Sequence, residues 1–290
     1  MKMKKIVSLL VVILISFAAL GQEAVVLINR GDSLFKVKKY AEALEIYDKV
    51  IPTLEVDKVK ESVYYAAMAA LNTGKNDVAL AYFDKAIISK TADADLKFEL
   101  SDCNQYKALV YSRLKDYTNA LAFYEKAIEL APNKAGTLYY SAAIAAFNLN
   151  NFEKAVEYFG KSYEAGVKPE DALVNQAAAY QRLKNDSLYK QTLVTGFEKF
   201  PGNKNISSRL AAIYFTEGNN LYKSGLTILN ATIKKVNDKK LKTEDAEYKS
   251  EIAKVNEAYA SATEVLKKSL ELDPANANTP KLIDACKPVK

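Results

Sequence analysis

The 290-residue sequence contains no histidine. That absence removes the commonest general base, the commonest metal ligand and every Ser/His or Cys/His nucleophile pair. Paired carboxylates remain, as glycosidases use them, but such pairs need a pocket shaped by long loops, which this chain lacks. The sequence therefore reads as non-enzymatic, and it implies neither a metal nor an organic cofactor. Cysteine is scarce as well. Cys103 and Cys286 show no zinc-type spacing, and a disulfide needs α-carbons within ~7 Å. The repeat arithmetic below puts about three hairpins between them, and helices pack ~9 Å apart, so two idle or buried thiols are expected.

A strong excess of one charge is also missing. The 41 basic residues face 35 acidic ones, and the lysines are scattered among glutamates and aspartates, whereas a phosphate-tracking surface clusters its basic residues on one face. Nucleic acid is not an expected partner. Long apolar runs are confined to one place, Ile6 to Leu20, which follows Met1-Lys2-Met3-Lys4-Lys5 and is broken only by Ser8 and Ser16. A membrane-crossing helix needs ~20 apolar residues. This run is shorter and ends in Ala18-Ala19-Leu20-Gly21, with small residues one and three places before Gln22. The pattern is that of a signal peptide over residues 1–21, cut after Gly21, with an uncleaved anchor as the alternative. No cysteine follows the cut, so the lipid-attachment signal is missing. An exported chain is expected, in the periplasm or outer envelope of a bacterium, with no membrane span in its mature part.

What the sequence does contain is a repeat of ~34 residues. A small residue is followed twelve places later by alanine in Gly31/Ala43, Ala67/Ala79, Ala108/Ala120 and Ala143/Ala155, while Ala177 leads to the large Tyr189. Four residues further on stand Tyr47, Phe83, Tyr124, Phe159 and Leu193, and three beyond those Val50, Ala86, Ala127, Ser162 and Gly196. Residues three and four apart share a helix face, and small ones let two antiparallel helices approach while an aromatic fills the adjoining gap. Each unit is thus a helical hairpin. Its turns fall at polar or glycine pieces such as Lys38-Lys39-Tyr40, Thr73-Gly74-Lys75-Asn76, Lys115-Asp116-Tyr117 and Asn150-Asn151-Phe152. Prolines at 132, 201 and 274 close units where a helix cannot continue.

Through strings such as Tyr117-Thr118-Asn119-Ala120-Leu121-Ala122-Phe123-Tyr124-Glu125-Lys126-Ala127-Ile128-Glu129-Leu130-Ala131-Pro132 the chain resembles the tetratricopeptide-repeat family. The family's usual early tryptophan is absent, and the fifth unit departs from the pattern at Tyr189 and Gly196. The resemblance implies an all-α, right-handed superhelical solenoid of about six hairpins. Its repeats cover approximately residues 24–57, 60–93, 101–134, 136–169, 170–203 and 204–275, and residues 276–290 form a capping segment. Anchors Ala79 and Ala120 are 41 apart instead of 34, which predicts a longer loop near Ser89 to Lys97. Thr279 and Pro280 predict the cap and first turn of a short last helix.

In proteins of this family the first helix of each hairpin lines the concave surface, where peptides or partner helices are held. Projected onto this sequence, the groove residues are Tyr64 and Met68, then Gln105, Leu109 and Arg113, then Tyr140, Ile144 and Asn148, then Arg182 and Arg209. Tyrosine, methionine and arginine are favoured at interfaces. All four arginines of the chain, Arg30, Arg113, Arg182 and Arg209, fall in first helices, where a forked guanidinium suits a carboxylate; arginine is equally a good former of a solvated helix face. The family's chaperone-tail clamp is not matched, since only Asn175 and Arg209 fall where clamp residues would. The expected function is a non-catalytic scaffold for a protein or peptide partner in the bacterial envelope. The alternative is a permanent structural subunit of a secretion, assembly or polysaccharide machine.

The sixth hairpin is irregular. Ala211 finds its partner only at Ala262, 51 residues on, with a long insertion over about residues 216–250. Tyr222, Leu226, Leu229, Ile233 and Val236 repeat at four and three, and so do Tyr248, Ile252, Val255, Tyr259, Ala262 and Leu266. The spacing predicts two elongated helices forming a coiled-coil-like arm, with its tip at Asn237 to Thr243. Gly218 and Gly225 are expected to weaken the first of them near its base, where they allow a kink. Self-association through this arm is a further expectation.

Overall fold

The computed structural model describes residues 22–54, 59–93 and 99–290; the signal peptide and its cut lie outside them. The described residues form thirteen α-helices, with no strand. The chain divides into two compact units, Met1–Ala165 and Gly166–Lys290.

The first unit holds α1 (residues 22–36), α2 (Tyr40–Val50), α3 (Lys60–Asn72), α4 (Asn76–Ala92), α5 (Leu100–Arg113), α6 (Tyr117–Leu130), α7 (Gly136–Asn148) and α8 (Phe152–Glu164). Helices α3 and α4, α5 and α6, and α7 and α8 pack as hairpins, and each hairpin packs on the next through α2/α3, α4/α5 and α6/α7. The periodic residues account for this. Ala43, Tyr47 and Val50, Ala79, Phe83 and Ala86, Ala120, Tyr124 and Ala127, and Ala155, Phe159 and Ser162 are all buried. The small members let the helix axes close and the aromatics fill the remaining gap.

One turn recurs. Lys38, Gly74, Lys115 and Asn150 each adopt a left-handed conformation after a first helix. The next residue's N–H then bonds back to Leu34, Ala70, Tyr111 and Ala146, at 2.9 to 3.0 Å. This closes the helix by the Schellman arrangement, and only Gly74 adopts it without a Cβ penalty. Asp116 and Asn151 then cap the following helices, accepting from the N–H of Asn119 and Lys154.

The predicted loop near Ser89 to Lys97 differs in part. Ser89 to Ala92 belong to α4, which runs to 17 residues, because Ser89 is buried and its hydroxyl bonds to Lys85 O. Residues 94–98 lie outside the described part.

The second unit holds α9 (Pro169–Arg182), α10 (Asp186–Lys199), α11 (Lys204–Asn237), α12 (Ala246–Leu272) and α13 (Asn278–Ala285). Helix α11 has 34 residues, about 51 Å at 1.5 Å per residue, and α12 has 27. The arm is therefore two packed helices, as the spacing predicts. Its seam is differently placed. On α12 the buried residues are Ile252, Val255, Tyr259, Ala262, Leu266 and Ser269, five of the six predicted positions, with Tyr248 half-buried. On α11 the buried positions from Ala211 outward are Gly218, Gly225 and Thr232, every seventh residue, while Ile233 is 46 % exposed.

The glycines do not interrupt the helix, for α11 is continuous through both. A Cβ on Gly218 would lie 2.6 Å from Leu266 Cγ, and one on Gly225 would lie 2.7 Å from Tyr259 Cε1. The glycines are there to let α12 in. Ser269 adds a buried hydrogen bond to Ala211 O at 2.9 Å.

Helix α13 starts at Asn278 with Ala277 before it, not at Thr279. Asn276 Oδ1 accepts from Asn278 N instead, at 3.0 Å, and Thr279 is buried. The segment beyond α13 docks on α12, where Asn256 exchanges two hydrogen bonds with the backbone of Val289, at 3.1 and 2.8 Å.

Candidate functional site

All ten candidate residues stand on first helices of hairpins: Tyr64 and Met68 on α3, Gln105, Leu109 and Arg113 on α5, Tyr140, Ile144 and Asn148 on α7, Arg182 on α9 and Arg209 on α11. Eight belong to the first unit and two to the second. In the first unit the outcome follows helix register. Tyr64, Met68, Leu109, Tyr140 and Ile144 are half-buried: each rests on the core below and keeps part of its surface in water. Tyr64 meets Phe83 edge-on at 6.3 Å between ring centroids, and Tyr140 meets Phe159 edge-on at 5.7 Å. Burial, reinforced by the neighbouring Tyr106, Cys103 and Asp102, holds the Tyr64 phenol well above its ordinary value. The α3 and α5 faces therefore adjoin, and this hydroxyl stays protonated under all ordinary conditions.

The polar ends of these helices differ from one another. Toward their C-termini stand Asn72, Arg113 and Asn148. Asn72 and Asn148 each bond back one turn, to Met68 O and Ile144 O. Arg113 Nη1 donates to Leu71 O at 3.1 Å, adding a side-chain donor to a carbonyl in the last turn of α3 that also accepts from Gly74 N at 3.3 Å. The arginine ties α5 to α3 as well as facing the solvent. Toward the N-termini stand Glu61 and Asp102, which the sequence projection did not include; their spacing, three residues before Tyr64 and Gln105, was the available signal. The arrangement is an apolar strip with acidic groups at one margin and amide and guanidinium groups at the other.

On the opposite, second-helix side the hairpins are joined by polar bonds. Tyr82 donates to Asp48 and Tyr158 to Glu125, both at 2.9 Å and across 34 and 33 residues. Between them, at the register where Phe123 has no hydroxyl, the buried Lys107 pairs with Asp84 and lies 4.1 Å from the Phe123 ring centroid. Both cysteines are buried and unpaired, and burial pushes the Cys103 thiol up to about 12, which makes it a poor nucleophile. Among the described residues no group of three or more acidic or cysteine side chains is placed to hold a metal ion, and no helix is long and apolar enough to cross a membrane.

In the second unit Arg182 is exposed and Arg209 half-buried. Arg209 Nε donates to Asn205 Oδ1 at 2.9 Å.

Residues 103–165, the α5–α8 segment, match the tetratricopeptide-repeat family. Among solved structures the chain is similar to YrrB, described as a TPR protein with an unusual peptide-binding site, at 20% identity and TM-score 0.51 over 66% of this chain and 95% of that one. It is also similar to the C-terminal part of a TPR repeat-containing protein from Cytophaga hutchinsonii, at 20% identity and TM-score 0.51 over 90% of this chain and 99% of that one. A comparison with curated protein sequences finds no match. These likenesses show the fold.

Proposed function

We propose that this chain, a tetratricopeptide-repeat protein, is a non-catalytic scaffold that holds an extended segment of a partner protein or peptide along the first-helix face of its N-terminal unit. The half-buried strip of Tyr64, Met68, Leu109, Tyr140 and Ile144 carries the reading. Half-buried aromatic and aliphatic side chains fixed by a rigid core give up little conformational entropy when covered, and Glu61, Asp102 and Arg113 at the margins supply orientation. The likeness to a protein with a peptide-binding site supports the same reading. A photo-cross-linking side chain placed at Met68 or Ile144 should capture a partner in the cells that make the protein, and one at the second-helix position Lys126 should not. Capture at Lys126 alone, or at none of the three, refutes the proposal.

The long, tightly seamed α11–α12 arm favours the alternative of a permanent structural subunit, for which the arm is a fixed contact with another component or a second copy. Size-exclusion of native extract separates the two: a subunit migrates with its assembly and a transient receptor mostly does not. Export to the bacterial envelope is proposed on the charged start and short apolar run alone, and amino-terminal sequencing of the native protein beginning at Gln22 tests it.

A further inference from the structure

The repeat pattern fails at one place, and a cleft stands there. Four hairpins put alanine at the close contact between helices, whereas the fifth has Tyr189. A ring cannot enter a contact shaped for a methyl group. Seven residues along α10 the helices do close: a Cβ on Gly196 would lie 2.9 Å from Ile206 Cδ1 of α11. Helices α10 and α11 thus diverge from near contact at Gly196 to a cleft of about 550 Å³ at Tyr189. That volume is in the range of small-ligand sites, ~300 to 1,000 Å³.

Its charges are unevenly used. Lys190 Nζ lies 2.8 Å from both carboxylate oxygens of Glu217, so this pair neutralises itself across the cleft. Arg209, whose Nε donates to Asn205 Oδ1, lines the cleft, and among the described residues its Nη groups make no hydrogen bond or ion pair. Asp186, in the first turn of α10, also lines the cleft and has no hydrogen bond or ion pair within the described residues. A held guanidinium on α11 and a free carboxylate on α10 therefore border one cavity. Gln181 and Ser208 add unspent polar groups.

We propose that this cleft binds a ligand carrying a carboxylate and an ammonium group together, the carboxylate on the Arg209 Nη edge and the ammonium on Asp186. A forked guanidinium takes a carboxylate through two N–H groups, and the aliphatic and ring surface of Ala212, Ile213 and Tyr189 receives the carbon between the charges. The chemistry is that of a free amino acid or dipeptide, or of neighbouring acidic and basic side chains on a bound polypeptide. The site goes beyond the scaffold function and stands without it.

Titration calorimetry of the full chain tests the site with three probes: the dipeptide Glu-Lys with free ends, the same dipeptide acetylated and amidated, and propionate as a single-charge control. Saturable binding of either dipeptide, weakened at least about tenfold by R209Q and by D186N in folded protein, is the expected result, with propionate weaker by a similar factor. Preference for the free-ended probe identifies a small zwitterion, and preference for the blocked one identifies side chains of a chain. No saturable binding of either dipeptide overturns the proposal, and so does binding that neither variant changes.

Discussion

Replacing Gly218 by alanine tests the account of the arm, because helix propensity and packing predict opposite signs. In an open helix position the change stabilises by roughly 0.5 to 1 kcal/mol. Here the added methyl carbon would stand 2.6 Å from Leu266 Cγ, 2.8 Å from Leu266 Cδ2 and 3.3 Å from the backbone oxygen of Ala262. Carbon pairs rest at about 3.5 to 4.0 Å, so the two helices must part by nearly an ångström or Leu266, which is fully buried, must leave its rotamer. Overpacking of this kind costs about 1 to 3 kcal/mol. It outweighs the propensity gain, and Gly218→Ala should lose about 1 to 2 kcal/mol net in urea denaturation followed by circular dichroism. Gly202→Ala, where nothing lies within 4 Å of the added carbon, is the control and should change stability by no more than about 0.5 kcal/mol. Leu266→Ala alone should cost about 2 to 5 kcal/mol. The double variant should cost less than the sum by at least about 0.5 kcal/mol, since one change makes room for the other. A Gly218→Ala protein as stable as the wild type would show that the seam is loose and the reasoning wrong.

Two further outcomes follow from the polar bonds of the first unit. Asp32 accepts from Tyr47 at 2.9 Å and from Ser62 at 3.1 Å, yet burial outweighs these bonds and raises its pKa above the ordinary carboxylate range. A carboxyl raised in the folded state contributes stability that is present below its unfolded pKa and lost as pH rises through the folded one. Asp32→Asn should therefore flatten the loss of stability above pH ~4 and be near neutral at pH 7, whereas Asp32→Ala, which strands the Tyr47 hydroxyl, should cost about 1 to 3 kcal/mol; equal losses for the two at pH 7 would contradict this. Tyr82→Phe and Tyr158→Phe each remove one bond between successive hairpins and should each cost about 0.5 to 1.5 kcal/mol without changing helix content. A loss above ~3 kcal/mol would mean that the hydroxyls do more than bridge.

Much of the hairpin architecture was legible because it depends on residues whose size is unusual for their position. Ala79, Phe83 and Ala86 are each fully buried, and only a small, large, small order at that spacing allows this. The arm was legible in its length and in the face of α12. The face of α11 was not, since its centre is Gly218, Gly225 and Thr232, and a search for apolar side chains cannot see a seam made by their absence. The large Tyr259 and Leu266 of α12 were the available clue, since bulky side chains on one helix need an opposing groove. The candidate strip was legible by register, but the bond from Arg113 to Leu71 O was not, because it depends on the end of a different helix.

Polar bonds join successive hairpins of the first unit. Tyr82 to Asp48 and Tyr158 to Glu125 join successive second helices, Lys107 of α5 joins Asp84 of α4, and the first helices are tied by Ser62 to Asp32 and by Arg113 to Leu71 O. A hairpin stack held chiefly by small-residue contacts has one degree of weakness, the sliding of one hairpin on the next, and a hydrogen bond between successive second helices opposes it directly. Phe123 shows that the constraint lies in the position and not in the hydroxyl, since where the ring has no donor a lysine from α5 reaches the same carboxylate while resting on that ring. Geometry fixed from behind keeps Tyr64, Leu109 and Tyr140 at constant separation. A surface of three such steps would present an extended chain, as proposed above, with side chains at a fixed spacing.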